Sequence, residues 1–197
     1  MPVVGVLALQ GDFTEHITVL RRLGVEPRQV RLPADLEGLD GLIIPGGEST
    51  TIGKLARDFN LIEPLKAFGA EKPIWGTCAG AIFLSKDATR AKQGQPLLGL
   101  MDITIQRNAF GRQVDSFEVG LDVPALADLG PDNPPFEAVF IRAPLIESVD
   151  APDVEVLARV DEAIVAARQG HLLATSFHPE LNEDDRFHQY FLSLLTG

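Results

Sequence analysis

The chain has a single cysteine among 197 residues. No internal disulfide can form, and the expected setting is a reducing cytoplasm. No apolar run approaches the roughly 20 residues that span a bilayer. The apolar opening segment, residues 3–9, is short and has neither a basic leader nor a small-residue cleavage site, so it reads as a core strand and not a signal peptide. Basic residues are scarce: 17 Lys and Arg stand against 28 Asp and Glu, a formal charge of −11. That balance excludes a nucleic-acid partner, which needs clustered positive charge. The four histidines and one cysteine show no metal-ligand spacing, so no metal and no cofactor are expected. Repeats, low-complexity tracts and a domain linker are also missing, and residues 1–197 read as one domain.

What is present is a soluble, globular balance of 45% hydrophobic and 23% charged residues. The first half alternates short apolar runs with helical patterns. Strands are predicted at 3–9, 25–32, 39–45 and 73–77. Helices are predicted at 13–23, from Ser49 or Thr50 as cap, near 62–68 and from Cys78 through Leu84. This βαβα rhythm implies an α/β fold with a mostly parallel central sheet and helices on both faces. The second half offers strand candidates at 103–106, 116–123, 138–141, 154–160, 163–168 and 172–177. A closing helix is predicted over 183–195. Residues 126–136, rich in Pro, Asp and Gly, read as a surface loop.

Gly76-Thr77-Cys78-Ala79-Gly80 joins an apolar strand to a helix. The pattern Gly-x-Cys-x-Gly is the thiol counterpart of the nucleophile elbow. Glycines on both sides allow a sharp turn that lifts the side chain above the carboxyl edge of the sheet. The helix start favours thiolate over thiol, and the Ala79 N–H is placed to meet a developing oxyanion. A lone cysteine is more often a buried packing residue; the flanking glycines and the strand-to-helix context reverse that expectation.

Ser176-Phe177-His178-Pro179-Glu180 follows another apolar run. In extended backbone, positions i and i+2 share a side, so His178 and Glu180 are expected to point into one site. Pro179 stiffens the turn. Glu180 can fix the tautomer of His178, leaving its other nitrogen to take a proton from Cys78. The bland alternative is a turn-capping histidine beside a solvated acid. His16 and His188 lie in helical patterns and read as surface or packing residues.

Pro45-Gly46-Gly47-Glu48-Ser49-Thr50-Thr51 lies between a strand and a helix. Its glycines let backbone N–H groups face a ligand, as an oxyanion hole and polar clamp at Gly46 and Gly47. A phosphate loop built on Gly53-Lys54 fails on spacing: Glu48 stands where its first glycine belongs, and Leu55 where Ser or Thr belongs. The pair Gly46-Gly47 permits both peptide orientations, so weak activity without a partner is expected.

Together these segments resemble the class I, triad-type glutamine amidotransferases. Within that class they resemble the glutaminase subunits of pyridoxal 5′-phosphate synthase. The likeness runs through Gly5 to Gly11 with Glu15-His16, the Pro45 and Cys78 segments, Phe140-Ile141-Arg142-Ala143-Pro144 and Ser176 to Glu180. Residues 107–118, Arg-Asn-Ala-Phe-Gly-Arg-Gln-Val-Asp-Ser-Phe-Glu, are its most specific part. The resemblance implies a three-layer flavodoxin-like fold and a single glutaminase domain. It implies Cys78, His178 and Glu180 as the triad, with Gly47, Glu48, Ser49, Arg107, Ile141 and Arg142 lining the glutamine site. It also implies that L-glutamine is hydrolysed and ammonia passes to a synthase barrel subunit. That partner is expected as a dodecamer with one glutaminase per synthase subunit. The loop at 126–136 is longer than the family pattern.

Overall fold

The computed structural model describes residues 1–110 and 116–197. In chain order the elements are β1 (Val3–Leu7), α1 (Phe13–Arg22), β2 (Glu26–Val30), β3 (Gly41–Ile44), α2 (Ser49–Asp58), α3 (Ile62–Glu71), β4 (Ile74–Thr77) and α4 (Ala79–Leu84). They continue with β5 (Ser85–Thr89), β6 (Met101–Gln106), β7 (Ser116–Leu121), β8 (Phe136–Ile141), β9 (Leu145–Val149), β10 (Val154–Val160), β11 (Ala163–Gln169), β12 (Leu172–Thr175) and α5 (Arg186–Ser193).

The main sheet runs β2-β1-β3-β4-β12-β11-β9-β6-β5, with β10 paired to β11. Pairing is parallel from β2 through β12 and again between β5 and β6; β11 and β9 are held by antiparallel ladders. The parallel block is the α/β sheet expected from the βαβα rhythm. The strands expected at 103–106, 154–160 and 163–168 are β6, β10 and β11; their antiparallel pairing, and the existence of β5 and β9, were not anticipated. The segment Ser-Lys-Asp-Ala-Thr of β5 has no apolar run, and β9, Leu-Ile-Glu-Ser-Val, is five residues long without regular alternation.

Strand alternation sends side chains into two cores, one on each face. Leu42, Ile44, Ile74, Leu172 and Ala174 pack with α2, α3 and α4. Val4, Val6, Ile43, Trp75 and Leu173 pack with α1, α5 and the separate β7–β8 hairpin. On this second face Phe187 stacks its ring against Trp75 at 6.4 Å and meets Phe136 and Phe177 edge-on at 4.8 and 5.1 Å. Phe187→Ala is expected to lower stability by about 3–5 kcal/mol, read as a reduced urea midpoint with unchanged slope. A shift near zero would mean the cluster contributes little.

The stretch 126–136 is a surface loop over residues 127–135, as expected, but its two ends are not at the surface. Pro124–Leu129 forms a 3-10 turn, and Leu126 and Phe136 are fully buried. Turn-forming residues dominate its composition, but its apolar ends plug the second core. Arg186 ties the middle to α5 by donating to Asn133 Oδ1 and the Pro134 carbonyl, both at 3.0 Å. Residues 111–115 of the segment most specific to the family lie outside the described residues.

Candidate active site

Cys78 sits between β4 and α4 with φ 50° and ψ −109°, a left-handed backbone that a side chain adopts only under constraint. Its N–H donates to the Thr175 carbonyl at 2.8 Å, which pins the turn to β12. The elbow also needs Gly80: a Cβ there would run into the Ile44 carbonyl of β3. The sulfur-bearing residue is buried to 7% exposure, at the floor of a cavity of about 490 Å3. The Ala79 N–H opens α4 and has no carbonyl within that helix to accept it.

His178 follows β12, and its Nδ1 lies 2.7 Å from Glu180 Oε1. The link is not the extended i, i+2 relation expected from sequence. Strand β12 stops at Thr175, and Pro179–Leu181 is a 3-10 turn with Pro179 in its first position. The turn curls Glu180 under the imidazole. The His178 N–H donates to the Val139 carbonyl of β8 at 2.8 Å, so both sheets position it. Burial disfavours a charge on His178. Hydrogen bonds to Cys78 and Glu180 and the charges on both outweigh it, raising the pKa to about 11. His178 is therefore an imidazolium facing the Cys78 sulfur. Burial raises the pKa of Glu180, against the opposing pull of His178.

Every residue named from the sequence lines the cavity except Gly46 and Glu180, which stand behind His178. Gly46 has a role the sequence did not suggest. A Cβ there would sit 2.5 Å from His178 Cε1 and 3.1 Å from Nδ1. Gly46→Ala is expected to push the imidazole off line and cut turnover by roughly a hundredfold, with circular dichroism unchanged. Normal turnover would show that the ring tolerates the displacement. The Gly46 carbonyl accepts from the Asp12 N–H at 3.0 Å, so the Gly46-Gly47 peptide is held in one orientation.

One wall is a polar network. Glu48, not Ser49 or Thr50, is the N-cap of α2: its carboxylate accepts from the Thr50 and Thr51 N–H groups at 3.1 and 2.8 Å. The longer glutamate side chain reaches back over the first turn, which leaves Ser49 free to accept from Gln95 Nε2 at 3.0 Å. Arg107 Nη2 pairs with Glu48 at 3.2 Å. Burial pushes the Glu48 carboxyl up, but hydrogen bonds from Thr51 and Thr50 prevail and hold its pKa at about 2. Ile141 and Arg142 form the opposite rim, Arg142 at φ 44°.

Sequence reasoning missed Gln10, Asp12, Asn108 and Gln95. Gln10 Oε1 accepts the Glu48 N–H at 2.7 Å and so braces the glycine turn. Asp12 Oδ2 lies 3.4 Å from His178 Nδ1. Asp12, His178 and Glu180 bring one donor atom each within 4.8 Å, the only such group among the described residues. His178 Nδ1 is already committed to Glu180 there. Among the described residues no helix is long and apolar enough to cross a membrane.

Residues 6–196 match the SNO glutamine amidotransferase family. A protein of Herpetosiphon aurantiacus named pyridoxal 5′-phosphate synthase subunit PdxT is 61% identical over 97% of this chain and 99% of its own. The protein of that name from Moorella thermoacetica is 54% identical over 98% of both chains. A crystal structure of a glutamine amidotransferase superposes with a TM-score of 0.90 at 50% identity, covering 98% of this chain and 99% of that one. The PurLQS structure from Thermotoga maritima, 18% identical with a TM-score of 0.71 over 98% of this chain and 99% of that one, shares the fold.

Proposed function

The chain belongs to the SNO glutamine amidotransferase family, and from that premise we propose that it is the glutaminase of a pyridoxal 5′-phosphate synthase, acting as a single domain over residues 1–197. Its reaction is the hydrolysis of L-glutamine to L-glutamate and ammonia. The observation that carries this reading is the placement of Cys78, at a strained elbow, against His178 backed by Glu180.

The steps start from the His178 imidazolium and the Cys78 sulfur it faces, taken as the anion. The Cys78 sulfur anion attacks the side-chain amide carbon, and the carbonyl π pair moves to oxygen. The Ala79 N–H and the glycine turn at Gly46-Gly47 are the donors assigned to that oxyanion. As the intermediate collapses, His178 gives its proton to the amide nitrogen and ammonia departs, leaving a glutamyl thioester. Neutral His178 then takes a proton from water, whose oxygen attacks the thioester and restores the sulfur anion beside the imidazolium. Glu180 keeps the imidazole in one tautomer throughout. Arg107 and Arg142 suit the substrate carboxylate, and Glu48 the ammonium.

The ammonia acceptor is a synthase barrel subunit, with one glutaminase per synthase subunit of a dodecamer. Two apolar side chains, Ile141 at 38% and Leu181 at 44% exposure, flank the cavity mouth and offer a surface for it. Glutamine labelled with 15N in its amide is the test. Mixing the chain with the barrel subunit should place 15N in pyridoxal phosphate and raise the glutaminase rate above that of the chain alone. Product formed only from free ammonium would sink the assignment, and equal rates with and without the barrel would remove partner activation.

A further inference from the structure

Two buried histidines behind the triad are unused by this mechanism. His16 on α1 and His188 on α5 are both fully buried. Glu180 Oε1 is taken by His178, whereas Oε2 is buried, makes no hydrogen bond of ordinary geometry, and faces His16 Nε2 at 3.5 Å. On the far side of the ring, His16 Nδ1 lies 2.9 Å from His188 Nε2. Trp75 packs edge-on against both imidazoles at 5.8 and 4.8 Å. The remaining polar neighbour is Thr77, whose Oγ1 is 3.4 Å from His16 Nε2.

The Thr77 hydroxyl can donate or accept and so suits either state of His16 Nε2; the carboxylate decides the hydrogen placement in this row. A carboxylate offers only lone pairs, so the nitrogen facing Oε2 must carry hydrogen. His16 is then protonated on Nε2 and bare on Nδ1. His188 must donate from its own Nε2, which leaves its Nδ1 bare, and that atom has no partner in the structure. The reverse order would bury an unpartnered N–H at His188 and aim a lone pair of His16 at the carboxylate, and orphaned buried N–H groups are the rarer defect. Burial, with the charges of His188 and His178, lowers the pKa of His16 well below 6.5. Burial lowers that of His188 to about 3, against a smaller opposing effect of Asp185. Each ring thus carries a single hydrogen.

We propose that His16, oriented by His188, is a positioning residue that donates to the second oxygen of Glu180 and fixes the carboxylate plane against His178. The row runs from α5 through α1 to the 3-10 turn, so docking of two helices sets the aim of the base. Neither histidine lines the cavity, so the effect falls on turnover and not on glutamine binding. This role rests on the catalytic reading of Cys78, His178 and Glu180.

Long-range 15N–1H correlation spectra of the wild-type chain test the row without any catalysis. Both His16 and His188 should show hydrogen on Nε2 and a bare Nδ1; a hydrogen on Nδ1 of His16 overturns the proposal. Two variants then separate positioning from packing in the complex with the synthase subunit. In His16→Gln the amide nitrogen reaches the place of Nε2, while in His16→Asn it falls short. His16→Asn should lower kcat about tenfold, the lower end of what supporting shells contribute, with KM for glutamine unchanged and the alkaline limb of kcat moved to lower pH. His16→Gln should recover most of the loss. Equal impairment of the two, or a folded His16→Asn with wild-type kcat and pH profile, overturns the proposal. Retained hydrolysis in Cys78→Ala would instead sink the triad reading, and if neither His16 variant folds the wild-type spectrum decides.

Discussion

Cys78→Ala is expected to lower glutamine hydrolysis by at least about four orders of magnitude, since the nucleophile of a triad acts as a unit with its base. The fold should survive. Alanine meets the same constraint at φ 50° as cysteine does, and the Thr175 carbonyl still receives the residue's N–H at 2.8 Å. Only one sulfur atom leaves the cavity floor. Differential scanning of the variant should therefore give a melting temperature close to wild type while ammonia release disappears. A glutamine analogue bearing a chloromethyl ketone in place of the amide should alkylate the wild-type chain at Cys78 and leave the variant unlabelled. Ammonia release that survives the substitution would mean that another group is the nucleophile.

Much of this site was legible because it is built from local patterns. The elbow needs a strand, two glycines and a helix in immediate succession, and residues 74–84 contain them in order. The pairing of His178 with Glu180 was also legible, although for the wrong geometric reason. Pro179 starts a 3-10 turn instead of extending the strand, and the two side chains meet through the curl. The cap of α2 went to Glu48 because a carboxylate one bond longer than the usual caps can still reach the free N–H groups of the first turn. What sequence could not show is long-range. His16 and His188 lie 172 positions apart and meet at 2.9 Å, and each alone looks like one more position on an amphipathic helix. The close approach of Gly46 to His178 is likewise a contact between distant segments, invisible to turn rules that explain glycine by φ. Strand β5 has no apolar run and owes its pairing to β6 beside it.

Glu180→Gln is the sharpest probe of how that long-range arrangement governs the base. The wild-type carboxylate accepts on Oε1 from His178 Nδ1 at 2.7 Å and faces His16 Nε2 with Oε2 at 3.5 Å. A carboxamide of the same shape accepts at one end and donates at the other. Turned one way, its NH2 meets His178 Nδ1 and selects the tautomer with hydrogen on Nε2, which cannot take a proton from water. Turned the other way, it meets the N–H of His16 and opposes two donors. Either orientation should lower kcat by roughly 10^3- to 10^4-fold, the cost seen when a triad base loses its tautomer. The pH dependence has a definite sign. With its carboxylate and sulfur partners, His178 holds its proton up to about pH 11, and a neutral amide removes one of those partners. The folded pKa then falls toward the ordinary 6.5. The imidazolium exists below its pKa and is lost above it, so the alkaline limb of kcat/KM must move to lower pH. Rate profiles on the complex, with 15N titration of His178 alongside, read both effects. A folded variant with wild-type turnover and an unmoved alkaline limb would remove Glu180 from the mechanism.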